Sequence, residues 1–197
     1  DTTYLIKNHE KVKGIVLTHG HEDHIGAIPY VLKQLNVPIY GTKFTLKLLK
    51  SRLEERKMTS NYILNEVKVG DKVSTNNFSI EFIRTCHSIA DACALAITTP
   101  EGVIVHTGDF KIDFTPVDGE LVDLHRFAEL GNQGVLLMMA DSTNAEREGN
   151  TISEREIGQN LDNLFSDVNG RIIVASFASN INRVQQIIDS SIYHNRK

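Results

Sequence analysis

Three histidines and two acids fall within six consecutive positions, His19, His21, Glu22, Asp23 and His24 in the run THGHEDHIG. Neutral imidazole and carboxylate are the donors that Zn²⁺ and similar borderline cations accept. His19 and His21, two apart in an extended segment or turn, can converge on one ion. Asp23 and His24 lie on the following turn and can serve a second ion beside it. The spacing is not that of an HExxH zinc helix, because the second histidine of that motif would fall on Ile25. A polar loop that happens to be rich in histidine is the competing reading, and the position of the cluster directly after an apolar run counts against it. Two further donors follow strand-like runs, His87 in RTCHSIAD and Asp109 in VIVHTGDF. Alone, His87 reads as an ordinary surface or core histidine and Asp109 as a turn aspartate. Three strand ends each delivering a donor point instead to a site assembled at strand C-termini, as layered α/β architectures build them. His19, His21 and His87 would complete one tripod, Asp23 and His24 begin a second, and Asp109 is suited to bridge the two. A two-metal centre of this kind stabilises an in-line displacement at phosphorus.

The elements that must carry these residues are legible from periodicity. Gly14–Leu17 reads as a short buried strand, followed by a helix from Asp23 with Ile25, Ile28, Leu32 and Leu35 on one face. Pro38-Ile39-Tyr40 reads as a second strand, and Thr42 as the cap of a helix reaching about Lys57 with Leu46, Leu49 and Leu53 inward. Strand patterns recur near Lys72-Val73, from Phe78 to Arg84, from Cys93 to Thr98 and from Val103 to Val105, with a turn at Pro100-Glu101-Gly102. A helix is expected over Leu121 to Leu130 and a buried strand over Val135 to Met139. Beyond the polar stretch EREGN, a capping box at Ser153 and Glu156 opens a helix. A strand at Arg171–Ala175 and a helix carrying Val184, Ile187 and Ile188 follow.

Of the 197 residues, 41% are hydrophobic and 23% charged, the proportions of an ordinary globular protein. No apolar run is long enough for a membrane helix. The net charge of −4 argues against a general basic surface that grips nucleic acid indiscriminately. Cys86 and Cys93 form no CxxC pair, which favours a reducing compartment. The chain opens on Asp1-Thr2-Thr3 without an initiator methionine, and is expected to be part of a longer protein.

The set HGHEDH, HS after a strand, and TGDF resembles the metallo-β-lactamase fold superfamily. The longer runs THGHEDHIGA, CHSIAD, HTGDFKIDFTP, ADSTNAE, SEREIGQN and SFASNINRVQQ resemble the ribonuclease J family of its β-CASP branch, over nearly the whole chain. The resemblance implies an α/β fold, an αββα sandwich into which a β-CASP domain is inserted. Here it would comprise an incomplete metallo-β-lactamase core over residues 1–149, lacking its first strands, and the beginning of a β-CASP domain over 150–197. It implies 5′ exonuclease and endonuclease cleavage of single-stranded RNA, in mRNA decay and rRNA maturation, by attack of a metal-activated hydroxide on the phosphodiester. It also implies two divalent ions, Zn²⁺ or Mn²⁺, a cytoplasmic location, and assembly as a homo-oligomer or with a paralogous subunit. Residue by residue, His19, His21 and His87 match first-site ligands, Asp23 and His24 second-site ligands, and Asp109 the bridge. Asp23 is also placed to orient or deprotonate the attacking water. Asp141 matches the acidic residue that opens the β-CASP signature, and a turn-capping aspartate before Ser142-Thr143 is an equal reading of it. Further histidines and an upstream acidic motif of the family are expected outside this chain.

Lys111, two residues beyond Asp109, is a candidate phosphate contact, and Phe177 and Asn180 are candidates to line the cleft between domains. Lys43, Lys47 and Lys50 form a helical stripe best read as a solvated face. His9, His106, His125 and His194 match no ligand position. The alternatives are another hydrolase on the same fold, acting on DNA, thioesters or lactones, and a non-catalytic RNA-binding subunit of a degradation complex. Eroded ligands would mark the latter, and none of the ligand positions present is eroded.

Overall fold

The computed structural model describes residues 2–58 and 62–196. A short helix, α1 (Thr3–Lys7), and a 3₁₀ turn at His9–Lys11 lead into β1 (Ile15–Val16), α2 (Glu22–Ile25), α3 (Ile28–Leu32), β2 (Ile39–Thr42), α4 (Lys43–Glu55) and β3 (Leu64–Val67). β1, β2 and β3 pair in parallel, so the helices serve as the crossovers that parallel pairing demands. There follow β4 (Lys72–Ser74), β5 (Ser79–Arg84), β6 (Cys93–Thr99), β7 (Gly102–His106), α5 (Leu124–Gln133) and β8 (Leu137–Met139). These five strands form a second sheet in sequence order, antiparallel from β4 to β7, with β8 parallel to β7. β5, β7 and β8 therefore run in one direction and end on one edge.

Three apolar clusters define the layers. Leu17, Ile25, Ile28, Leu32, Ile39, Leu46, Leu49 and Leu53 join the first sheet to its helices. Val67, Phe82, Cys93 and Leu95, flanked by Val16, Tyr40, Ile80 and Ile97, fill the space between the sheets. Ile83, Ala94, Ala96 and Val105 receive Leu130 and Phe127 of α5 on the outer face. The strand period of two produces this division, because Phe82, Cys93 and Leu95 point one way while Ile83, Ala94 and Ala96 point the other. The result is a helix–sheet–sheet–helix sandwich. Arg126 of α5 reinforces the outer layer with paired bonds of 2.8 and 2.9 Å to Glu81 on β5. Among the described residues, no helix is long and apolar enough to cross a membrane.

Several local expectations are corrected. The helix expected from Asp23 is two short ones. Pro29, in the first turn of α3, has no amide to bond the Ile25 carbonyl, yet Ile25, Ile28, Leu32 and Leu35 are all buried as anticipated. The Thr42 side chain makes no capping bond; its hydroxyl donates instead to the Asp91 carbonyl and lies 3.0 Å from Thr45 Oγ1. β3 was not among the expected strands, since Asn65 and Glu66 interrupt its apolar pattern. The strand expected as buried at Val135–Met139 is the exposed edge strand β8, covered on neither face among the described residues. The run 171–175 has no strand pairing among the described residues and is irregular, with Ile173 88% exposed, because an isolated strand cannot satisfy its backbone. The cap at Ser153 forms by one half of the expected box: the Ser153 hydroxyl accepts from the Glu156 amide and opens α6 (Glu154–Asp167), which packs on α7 (Ile181–Tyr193).

Phe82, between the sheets, is the largest of the fully buried side chains. Phe82→Ala should lower stability by roughly 3–5 kcal/mol, read as a lower urea midpoint at unchanged slope. A loss under about 1 kcal/mol would mean that the two sheets do not pack through this ring.

Candidate metal centre

All the candidate donors meet at the edge where the strands end. His19, His21, Asp23 and His24 follow β1, His87 follows β5 and Asp109 follows β7. The two sheets are fastened together just beneath them. The Cys93 amide, at the start of β6, donates to the Thr18 carbonyl at 2.9 Å. The Cys93 thiol, whose pKa burial pushes up to about 12, donates to the same carbonyl at 3.2 Å. Gly108 lies against this junction with φ +60, and a Cβ there would sit 3.0 Å from the Cys93 carbonyl oxygen. Gly20 has a comparable role between the first two histidines, since a Cβ would meet Leu48 of α4 at 2.6 Å. The loop is thereby pressed onto α4, with His19 buried and His21 turned toward His87.

The donor atoms form two sets. One ring nitrogen or carboxylate oxygen from each of His19, His21, His87 and Asp109 lies within 4.8 Å of the others, and the same holds for Asp23, His24 and Asp109. His87 Nε2 is 3.0 Å from His21 Nδ1. Asp109 divides its two oxygens between the sets. Oδ2 is 3.7 Å from His19 Nε2 and 3.6 Å from His87 Nε2, while Oδ1 is 3.3 Å from His24 Nε2. Asp23 Oδ2 is 3.6 Å from the same His24 nitrogen.

These residues fit a divalent cation. Ligands at the usual Zn–N distance and tetrahedral angle stand about 3.3 Å from one another, and the observed separations bracket that value. His19 supplies a second test. Its Nδ1 is 3.1 Å from the Thr18 hydroxyl, and the tautomer that donates there leaves the lone pair on Nε2. That Nε2 is buried and has no hydrogen-bond partner among the described residues, a costly condition that a bound cation removes. Burial, and then the neighbouring His24, His87 and His21, lower the His19 pKa from 6.5 to about 3. His87 is also lowered, chiefly by burial and then by His21. Both rings are thus held neutral, the form that ligates metal.

The remaining candidates fall nearby in different settings. Asp141, just beyond β8, lines a cleft of about 800 Å³ together with His87, Asp109 and Phe114. Its Oδ1 accepts from the Thr143 amide and hydroxyl at 2.9 and 2.6 Å, and its amide donates to Thr107 Oγ1. The bond from the Thr143 hydroxyl is the main cause of its lowered pKa. Lys111 Nζ lies 2.7 Å from Glu154 and 3.2 Å from Asp113. Phe177 is 84% exposed and lines a second cleft with Gly20, Glu22 and Ser179. Asn180 caps α7, its Oδ1 accepting from the Arg183 amide. Lys43, Lys47 and Lys50 are exposed on α4, as expected. Sequence reasoning missed Thr18, Thr107 and Cys93, which position the donors. Only their adjacency to His19, Asp109 and a strand start could have flagged them.

This architecture and this donor set define a class. The chain belongs to the metallo-β-lactamase superfamily, whose family model (Metallo-beta-lactamase superfamily) matches residues 5–146. A second model, Ribonuclease J, beta-CASP domain, matches residues 169–197. Over its whole length the chain is 51% identical to Ribonuclease J of Synechocystis sp., of which it covers 31%. It is likewise 45% identical to Ribonuclease J 1 of Streptococcus pyogenes serotype M3, of which it covers 35%. The chain thus spans about a third of the length of these curated relatives. A crystal structure of a protein of unknown function from Enterococcus faecalis V583 shares the fold, with TM-score 0.68 and 23% identity over 91% of this chain and 45% of that one.

The depressed His19 pKa has a consequence for the metal-free protein. Its folded value lies below the unfolded one, so the unfolded state binds more protons as pH falls. Stability present above pH 6.5 should therefore be lost progressively as pH falls toward 3, by roughly 2 kcal/mol at pH 5 from this residue alone. Urea midpoints at pH 7 and pH 5 in chelator, compared with those of His19→Gln, read the difference. Equal pH dependence in the two proteins would refute the assignment.

Proposed function

We propose that this chain carries the metal-binding core of a ribonuclease that hydrolyses single-stranded RNA, by 5′ exonuclease and endonuclease cleavage, in mRNA decay and rRNA maturation. The observation that carries the reading is the pair of donor sets sharing Asp109, joined to a whole-length similarity to ribonuclease J that runs past the core into SFASN. Both sets retain their donors, which favours an enzyme over a silent binding subunit. In this reading the division between core and β-CASP segment falls at 149/150.

Two divalent ions, Zn²⁺ or Mn²⁺, would be held by His19, His21, His87 and Asp109 and by Asp23, His24 and Asp109, supplying Lewis acidity at the phosphoryl oxygens and an acidified water. The chain's own residues do the rest. Asp109 fixes the spacing of the two sets through its two oxygens. Asp23, whose side chain is 77% exposed beside His24, faces solvent and can orient a water and take its proton. Asp141 keeps a negative charge near His19 and His87, which partly offsets the lowering of their pKa values by burial. Phe177 borders the cleft along which an RNA strand would lie, and Asn180, whose Oδ1 caps α7, fixes the start of the helix beside it. The free, buried Cys86 and Cys93 accord with the cytoplasm. Assembly as a homo-oligomer or with a paralogous subunit belongs to the same proposal.

In the full-length protein, chelation should abolish cleavage of single-stranded RNA. Asp109→Ala should lower kcat/KM by more than the roughly 100-fold that loss of an outer hydrogen-bond partner costs. Cleavage should also respond to a 5′ monophosphate. Thioester hydrolysis without RNA cleavage would transfer the chain to another hydrolase of the fold, and undiminished cleavage by metal-stripped Asp109→Ala would sink the metal reading.

A further inference from the structure

Lys111 is two residues past the bridging carboxylate, but its ammonium is already engaged. It lies 2.7 Å from Glu154 Oε1 and 3.2 Å from Asp113 Oδ2, with Asp113 wholly buried and Glu154 only 11% exposed. Arg183 of α7 reaches the other Glu154 oxygen at 3.3 Å. Two cations and two carboxylates make a neutral quartet, leaving no surplus charge to draw a polyanion. Two of the three ammonium N–H groups face these carboxylates, so a phosphate would meet at most one remaining donor of a cation whose charge is already balanced.

The quartet is continuous with the backbone that carries the metal donors. The Lys111 amide donates to the Cys86 carbonyl at 2.8 Å in an isolated antiparallel bridge, so the residue before His87 is tied to the residue two past Asp109. On the other side, Asp113 Oδ2 accepts from the Glu154 amide at 2.8 Å, and the Thr115 and Ser153 hydroxyls are 2.7 Å apart. Gln186 of α7 donates to the Glu154 carbonyl at 2.6 Å, and Arg183 Nε donates to Gln186 Oε1. An unbroken chain of bonds thus connects the α6–α7 pair through Glu154 to the 109–113 loop, and through Lys111 to the His87 loop.

We infer that the Lys111–Asp113–Glu154–Arg183 quartet is a positioning latch, which sets His87 and Asp109 according to where the α6–α7 segment sits. Lys111 is a positioning residue that acts through those two loops and makes no contact with substrate. The inference rests on the metal-centre reading above.

The test uses the full-length protein with Glu154→Gln, which keeps the shape of the side chain, together with Lys111→Met, Lys111→Arg and the Lys111→Met/Glu154→Gln double variant. Visible absorption of the cobalt-substituted protein reports ligand geometry without any RNA. The latch requires an altered cobalt spectrum in Glu154→Gln and Lys111→Met. It also requires a kcat on single-stranded RNA lower by about tenfold or more, with KM changed less than about threefold. Lys111→Arg should recover part of both signals. The effect of the double variant should be smaller than the sum of the two single ones, because both residues act through the same quartet. A raised KM in Lys111→Met with unchanged kcat and spectrum, and a silent Glu154→Gln, would overturn the latch in favour of a phosphate contact. A lower melting temperature with spectrum and kcat intact would overturn it as mere packing. If Lys111→Met does not fold, Glu154→Gln and Lys111→Arg decide by the same readouts. A wild type that leaves RNA uncut while its cobalt spectrum still shifts in Glu154→Gln would refute the proposed substrate and support the latch.

Discussion

Four imidazoles and two carboxylates share one small volume at the edge of two sheets, and their mutual electrostatics constrain the surrounding structure. Protonated rings so close would repel one another, and burial penalises their charge further. His19 and His87 are accordingly held neutral with lone pairs available. A neutral imidazole nitrogen buried without a partner is itself unfavourable, as His19 Nε2 shows. A cation resolves both problems at once. Asp109 joins the sets because a carboxylate has two oxygens and can face two centres, which no imidazole nitrogen can do.

Holding that arrangement depends on strand direction. β5, β7 and β8 run the same way in a largely antiparallel sheet, so His87, Asp109 and Asp141 emerge on one edge. β1 belongs to the other sheet, and its donors reach the same edge because the Thr18 carbonyl is bound by the amide and thiol of Cys93. Gly108 is small enough to let the Asp109 loop lie against that junction. Loops carry the donors, while the sheets and their apolar fillings keep the loops from drifting.

The contacts to the α6–α7 segment are of another kind. The core itself is closed by apolar side chains in three clusters, whereas the seam to the segment is closed by ion pairs and hydrogen bonds around Glu154. Apolar packing is tolerant of direction, but a buried ion pair is not: its benefit collapses if the geometry slips, because desolvation has already been incurred. A seam of this sort penalises displacement of its two sides, and it leads directly into the loops that bear Asp109 and His87.

Local chemistry made much of this protein readable from its residues. Donor type and spacing singled out His19, His21, Asp23, His24, His87 and Asp109, and periods of two and near four placed most strands and helices, because side-chain direction repeats locally. The helix start capped by Ser153 was legible for the same reason. What depended on distant partners was not. The run Val135–Met139 is apolar enough for a core strand, yet it pairs at the sheet margin, where neither α5 nor the first sheet packs over it among the described residues. The run 171–175 has strand composition, but a strand exists only where another offers its backbone. Lys111 carries in sequence only a positive charge next to Asp109, and it took the fold to bring Glu154, 43 positions away, to its ammonium. Types and periods are written along the chain, whereas pairing, burial and charge neutralisation are properties of residues far apart in it, which only the tertiary structure brings together.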